Sequence, residues 1–203
     1  YARFGRFGSP YAALDLTAID PALVVFDKKT TGIDQFRELT YAAHALGGRV
    51  FLDIVINHTG WGSDLQENHP EWFLRDQTGT FVSPGAWGTT WEDLVELKHQ
   101  HVALWDALAE TFLAWCRRGV DGFRCDAGYK VPTVAWEYIV ARVREEYPDA
   151  VFLLEGLGGA WETTEALLLE GGMQWAYSEL FQNYSPQEVS SYLDHTFRQA
   201  GLS

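Results

Sequence analysis

Three apolar runs punctuate the chain, and each carries a carboxylate. Val50-Phe51-Leu52-Asp53-Ile54-Val55-Ile56 is almost continuously hydrophobic, Val120 to Asp126 forms a second run, and Val151-Phe152-Leu153-Leu154-Glu155 a third. Short runs without alternation predict strands buried on both faces, as in parallel sheets covered by helices. Between the runs the apolar spacing changes to three and four. A helix from about Asp34 would turn Phe36, Leu39, Ala43 and Leu46 inward and stop at Gly47-Gly48. A second would bury Leu104, Trp105, Leu108, Phe112 and Trp115. A third, begun by Pro132 and ended before Pro148, would bury Trp136, Ile139, Val140 and Val143. A weaker strand near Met173 to Tyr177 precedes a final helix from about Pro186, and an early strand is expected within Tyr11 to Ile19. Strands alternating with helices in this way predict an α/β architecture with a parallel sheet.

Residues 59–95 break the rhythm with Gly, Asn, Pro, Asp and Trp and little periodicity. A stretch that long inside a compact domain is usually functional or a small subdomain. An eight-fold barrel needs roughly 250 residues, and this chain has 203. The expectation is therefore a partial TIM (β/α)8 barrel, about strands 2 to 6, with the excursion after strand 3 and both ends missing. Residues 1–203 would form one incomplete catalytic barrel domain, with 59–95 a loop or small subdomain within it.

Charge narrows the partners. Fifteen basic and 28 acidic residues give −13, which argues against nucleic acid and leaves a neutral polymer open. No apolar run reaches the length of a membrane span. The opening Tyr1-Ala2-Arg3-Phe4 shows no leader, although a chain without a starting Met can have lost one. Cys116 and Cys125 fall in a helix and a strand, so neither a disulfide framework nor a zinc cluster is expected. Two unpaired thiols favour the cytoplasm, with localisation otherwise open. Aromatic residues make up 15% of the chain. Flat rings stack on sugars, and a large core explains them equally well.

In barrels of this kind the working residues sit at the C-terminal ends of strands. Arg124 and Asp126 share one face of their strand, because side chains alternate. The guanidinium would hold Asp126 ionised and oriented, as a nucleophile requires; the alternative is a buried ion pair. Glu155 ends its strand before Gly156-Leu157-Gly158-Gly159. An apolar surrounding there would keep its proton for donation; the alternative is a helix cap or a surface charge. Carboxyls on successive strand ends can approach within the roughly 5 Å used by retaining glycosidases. Asp53, Asn57 and His58 form a D-x-x-x-N-H pattern at the same rim, where an imidazole can donate to a sugar hydroxyl. A pair with Arg124 inside the barrel is the other reading of Asp53.

Taken in order, Phe51-Leu52-Asp53-Ile54-Val55-Ile56-Asn57-His58, Gly122-Phe123-Arg124-Cys125-Asp126 and Leu154-Glu155 resemble three signature blocks of the α-amylase family of glycoside hydrolases. Tyr11-x-x-x-Asp15 is similar to that family's second-strand segment. The resemblance implies that Asp126 is the nucleophile, Glu155 the general acid/base and Arg124 the partner orienting Asp126. It also implies that His58 binds the −1 sugar, with Tyr11 stacked on it and Asp53 and Tyr129 on the substrate side. The implied substrate is an α-1,4-glucan or malto-oligosaccharide, processed by double displacement with retention. Hydrolysis is the first expectation, glucan transfer the alternative, and a non-catalytic glycan-binding relative the third reading. The family's third catalytic Asp belongs to a His-Asp pair on the seventh strand. Asp194-His195 has the reverse order and reads as a helix-surface pair, so the chain alone is expected to be inactive.

Where the family often has D-x-x-K-H, Tyr129 and Lys130 stand here. No cofactor is expected to be required. A structural calcium is conceivable through Asn57 with Glu92, Asp93 or Glu96. The run Asp126 to Pro132 is similar in outline to the maltosyl-transferring branch, although Pro132 also has a plain helix-start explanation.

Overall fold

The chain runs α1 (Gly32–Ala45), β1 (Phe51–Val55), β2 (His58–Gly60), α2 (Asp64–Asn68), β3 (Gly85–Ala86), β4 (Thr89–Thr90), β5 (Leu94–Glu96), α3 (Val102–Cys116), β6 (Gly122–Asp126), α4 (Thr133–Glu146), β7 (Val151–Leu154), α5 (Trp161–Leu169), β8 (Trp175–Ala176) and α6 (Pro186–Ala200). These elements come from a computed structural model that describes residues 9–26 and 29–200; the opening Tyr1–Phe4 lies outside them. Strands β1, β6, β7 and β8 form one parallel sheet in that order. The fold is thus α/β, with α3 and α4 crossing between successive strands as parallel connections require.

One face of the sheet makes the core. Leu52, Ile54, Phe123, Cys125, Phe152 and Leu154 are buried there beneath Leu104, Leu108, Phe112, Trp136, Ile139 and Val143 of the two helices. Phe112 lies at the centre, edge-on to Phe123 with centroids 4.7 Å apart and within 5.6 Å of Phe152. Phe112→Ala in the complete protein is expected to cost about 3–5 kcal/mol, the usual loss for a fully enclosed Phe. A denaturant titration checks it, and a shift below about 1 kcal/mol would contradict this packing.

The opposite face departs from the expectation of burial on both sides. Phe51 and Trp175 are exposed there, stacked with centroids 6.5 Å apart, and Asp53, Arg124 and Asp126 share that side. Asp53, Arg124 and Asp126 on this side are the polar groups from which the candidate site is built.

Two further expectations need correction. Tyr11 to Ile19 forms no strand of the sheet. Asp15 Oδ1 accepts from both the N–H and the hydroxyl of Thr17 at 2.8 Å, which curls the chain into a turn. The carbonyls that a ladder would have used are taken by Trp115 and Arg118 side chains, at Leu16 and Thr17, and by the Gly60 and Asp64 N–H groups, at Ala13 and Leu14. Helix α1 begins at Gly32, where Thr31 and Asp34 cap each other's N–H groups. Its inward ridge is Phe36 and Thr40, while Leu39 and Leu46 are 60% and 90% exposed. Polar anchors set this rotation: Thr40 donates to the Arg118 carbonyl at 2.8 Å, and His44 and Arg49 hold Asp121 at 2.7 and 2.9 Å.

Between β1 and α3, residues 58–96 carry two small antiparallel pairs, β2 with β5 and β3 with β4. Trp72, Phe73, Leu94 and Val95 are buried under them.

Candidate active site

The strand register assembles the site. Asp53 lies opposite Arg124, and Val55 opposite Asp126; Cys125 lies opposite Leu154, so the next residues, Asp126 and Glu155, leave adjacent strand ends together. They open on a cavity of about 390 Å³ lined by Ser9, Tyr11, His58, Trp87, Trp91, Asp93, Leu94, Arg124, Asp126, Ala127, Tyr129, Glu155 and Leu157. Of the residues singled out from sequence, Asp126, Glu155, His58, Arg124, Tyr11 and Tyr129 converge here, while Asp53 and Asn57 sit just behind the lining.

Arg124 links two carboxylates. Its Nη1 donates to Asp53 Oδ1 at 3.0 Å and to Asp126 Oδ1, and the Tyr11 hydroxyl donates to Asp53 Oδ2 at 3.0 Å. Asp53 is thus a partner of Arg124. Burial alone would lower the guanidinium's pKa, but the two carboxylates hold it above its ordinary value. Burial also pushes Asp126 up to about 6 against the pull of Arg124, with Asp53 and Glu155 adding to the rise. Tyr11 is raised to about 12, first by burial and then by its bond to Asp53. At neutral pH Asp126 is still mostly ionised. If it is the attacking group, kcat/KM should be lost as pH falls through about 6, because the protonated form cannot attack. A pH–rate profile of the complete protein checks this; an acid limb near 4, the ordinary carboxylate range, would contradict it.

Glu155 is buried, and the surrounding is not purely apolar as expected. Its Oε2 accepts from the Ala127 N–H at 2.8 Å and its Oε1 from the Leu157 N–H at 2.9 Å. Ala127 reaches it by adopting a left-handed conformation, φ 47°, immediately after Asp126. Such backbone strain costs on the order of 1 kcal/mol in a non-glycine residue and clusters at working sites. Sequence reading missed Ala127, because nothing in an alanine signals positive φ.

His58 is buried, and burial first, then Lys130, lowers its pKa to about 3, so the imidazole is neutral. The Asn57 amide nitrogen can only donate, and it faces His58 Nδ1 at 3.3 Å. The other ring nitrogen, Nε2, is buried and has no hydrogen-bond partner among the described residues, although His58 lines the cavity.

A calcium ion held by Asn57 and Glu96 would meet the charge of Lys130, which places its ammonium on the Gly85 carbonyl and acts on both Glu96 and His58. No group of three or more His, Cys, Asp or Glu side chains suited to a metal occurs among the described residues. Asp194 and His195 do not pair with each other: Asp194 bonds Arg198, and His195 reaches Glu165 at 2.8 Å over Trp161. Cys116 and Cys125 are both free and buried. No helix is long and apolar enough to cross a membrane among the described residues.

No protein-family model matches the chain. It is 31% identical over 194 residues to an α-1,4-glucan:maltose-1-phosphate maltosyltransferase of Rhodospirillum rubrum, covering 92% of this chain and 27% of the relative. It is 34% identical over 155 residues to a protein of the same name from Cereibacter sphaeroides, covering 73% and 25%. Its structure is similar to the crystal structure of an α-amylase from Lactobacillus plantarum, with TM-score 0.76, 31% identity, and 98% of this chain and 48% of that one covered. An α-amylase from Geobacillus thermoleovorans complexed with acarbose, 17% identical, shares the fold at TM-score 0.71, over 96% and 45% of the two chains. The chain spans about a quarter of these curated relatives and about half of these solved structures.

Proposed function

We propose that this chain, which belongs to the α-amylase family of glycoside hydrolases, supplies the nucleophile and the acid/base of a retaining enzyme that transfers α-1,4-glucan units. The observation that carries the reading is the pair Asp126 and Glu155, leaving adjacent strand ends into one aromatic-lined cavity. Asp126 attacks the anomeric carbon while protonated Glu155 gives its proton to the departing oxygen, and a β-glycosyl ester forms. Glu155, now a carboxylate, takes the proton of the incoming hydroxyl, and the ester bond to Asp126 breaks. Asp53 and Asp126 against one Arg124 leave an excess of negative charge at the site, which suits the positive charge that develops on the sugar ring. His58, whose Nε2 has no protein partner among the described residues, supplies a ring nitrogen for a sugar hydroxyl, and Arg124 orients Asp126.

Sequence reasoning placed hydrolysis first. Transfer now moves ahead, because relatives at 31% and 34% identity carry the name α-1,4-glucan:maltose-1-phosphate maltosyltransferase. Hydrolysis stays as the second reading on the similarity to the Lactobacillus plantarum α-amylase. The test is to incubate the complete gene product with maltose 1-phosphate or maltoheptaose, with and without added maltotetraose, and resolve the products by chromatography. Extended chains that depend on acceptor are expected. Shorter sugars whose yield ignores the acceptor would make it a hydrolase, and unchanged substrate would remove the enzymatic reading.

A further inference from the structure

The hairpin β3–β4 turns on two residues, Trp87 and Gly88, with φ 51° and 77°. Two left-handed residues in a two-residue hairpin loop are the geometry that normally selects Asn-Gly. A tryptophan is therefore an expensive choice at the first position, by about 1–2 kcal/mol of backbone strain. Its ring is not justified by the core either, since Trp87 is 76% exposed. The side chain lines the cavity that holds Asp126 and Glu155.

Both carboxylate loops touch this hairpin, one at the Trp87 ring and one at the hairpin's base. On one side, Gly158 passes so close that a Cβ there would lie 3.1 Å from the indole Nε1 and 3.2 Å from Cζ2. Gly158 belongs to the loop that directly follows Glu155. On the other side, Lys130, four residues after Asp126, donates to the carbonyl of Gly85 at the base of the hairpin and lies 5.5 Å from the Trp91 ring centre. The indole edge thus meets the loop of the acid/base while much of the ring stays open. The departing sugar leaves, and an acceptor arrives, on the side of the glycosidic oxygen that Glu155 protonates.

We propose that Trp87 is a specificity-determining platform on which the acceptor sugar stacks, so that a carbohydrate hydroxyl rather than water resolves the glycosyl-enzyme. The inference rests on the transfer reading above and deepens it. In the step concerned, the acceptor hydroxyl loses its proton to the Glu155 carboxylate and its oxygen bonds to the anomeric carbon. The ester C–O bond breaks, and its electron pair returns to Asp126. Trp87 exchanges no proton; it holds the acceptor ring against its apolar face and occupies space that water would need.

The test compares the complete wild-type protein with Trp87→Asn and Trp87→Tyr, using maltoheptaose as donor and maltotriose as varied acceptor. Asn suits the turn better than Trp, so loss of folding is not a competing cause. Trp87→Asn is expected to raise the acceptor KM roughly three- to tenfold and to lower the ratio of transfer to hydrolysis by a similar factor. Trp87→Tyr, which keeps a flat ring, should recover most of both. Transfer and hydrolysis falling together, with acceptor KM unchanged in Trp87→Asn, would overturn the platform while leaving the transferase reading intact. A wild-type protein that hydrolyses maltoheptaose without transfer at any acceptor concentration would overturn the transferase reading, and this inference with it.

Discussion

Asp126→Asn in the complete protein is expected to abolish turnover, by on the order of 10⁴–10⁶-fold, the scale reached when a nucleophile is deleted from a preorganised site. The amide keeps nearly the same volume and leaves Arg124 bound to Asp53 at 3.0 Å, so glucan binding should be largely retained. Folding should not suffer. The carboxyl's pKa is pushed up to about 6 in the folded state, chiefly by burial, above the ordinary carboxylate value of about 4. A group raised in this way destabilises the fold above its folded pKa and is harmless below its unfolded one. A neutral side chain at 126 should therefore be at least as stable at pH 7. Kinetics, glucan binding and thermal unfolding on one preparation check all three, and near-normal turnover would remove Asp126 from its role.

Glu155→Gln should show a different signature. With natural glucans, whose leaving oxygen needs a proton, the first step is expected to slow by about 10²–10⁴-fold. With an α-glycosyl fluoride, which leaves without protonation, that step should be far less affected. The second step would still lack a base, so the glycosyl-enzyme should accumulate and azide, a nucleophile needing no deprotonation, should rescue turnover as a glycosyl azide. Gln keeps one acceptor oxygen, so one of the two N–H bonds that Ala127 and Leu157 make to the carboxylate is lost, which adds a structural risk. The contrast between the two donors, rather than the bare loss, is therefore the diagnostic readout. Equal loss on both donors without azide rescue would argue against an acid/base role.

Helices α3 and α4 and strands β1, β6 and β7 were legible because their apolar spacing reports contact with the core, and that contact is what fixed them. Asp126, Glu155, Arg124 and His58 were legible as a group because parallel strands deliver their C-terminal ends to one rim. The failures lie where polar contacts decide. Asp15 and the Trp115 and Arg118 side chains hold residues 11–19 out of the sheet. Thr40, His44 and Arg49 set the face of α1 and leave Leu39 and Leu46 in solvent. Long-range side-chain bonds of this sort leave no periodic trace. The left-handed Ala127 and Trp87 run against residue preference, and such local conflicts concentrate where a site needs a particular backbone direction.

The most direct test of the account is to trap the covalent intermediate. The complete protein would be treated with a fluorinated α-maltosyl fluoride that forms the glycosyl-enzyme quickly and releases it slowly, then digested and sequenced by mass spectrometry. The account predicts one added glycosyl group, on the peptide of Gly122-Phe123-Arg124-Cys125-Asp126 and on Asp126 within it. A label on another residue, or turnover of the natural glucan with no trappable ester, would contradict it.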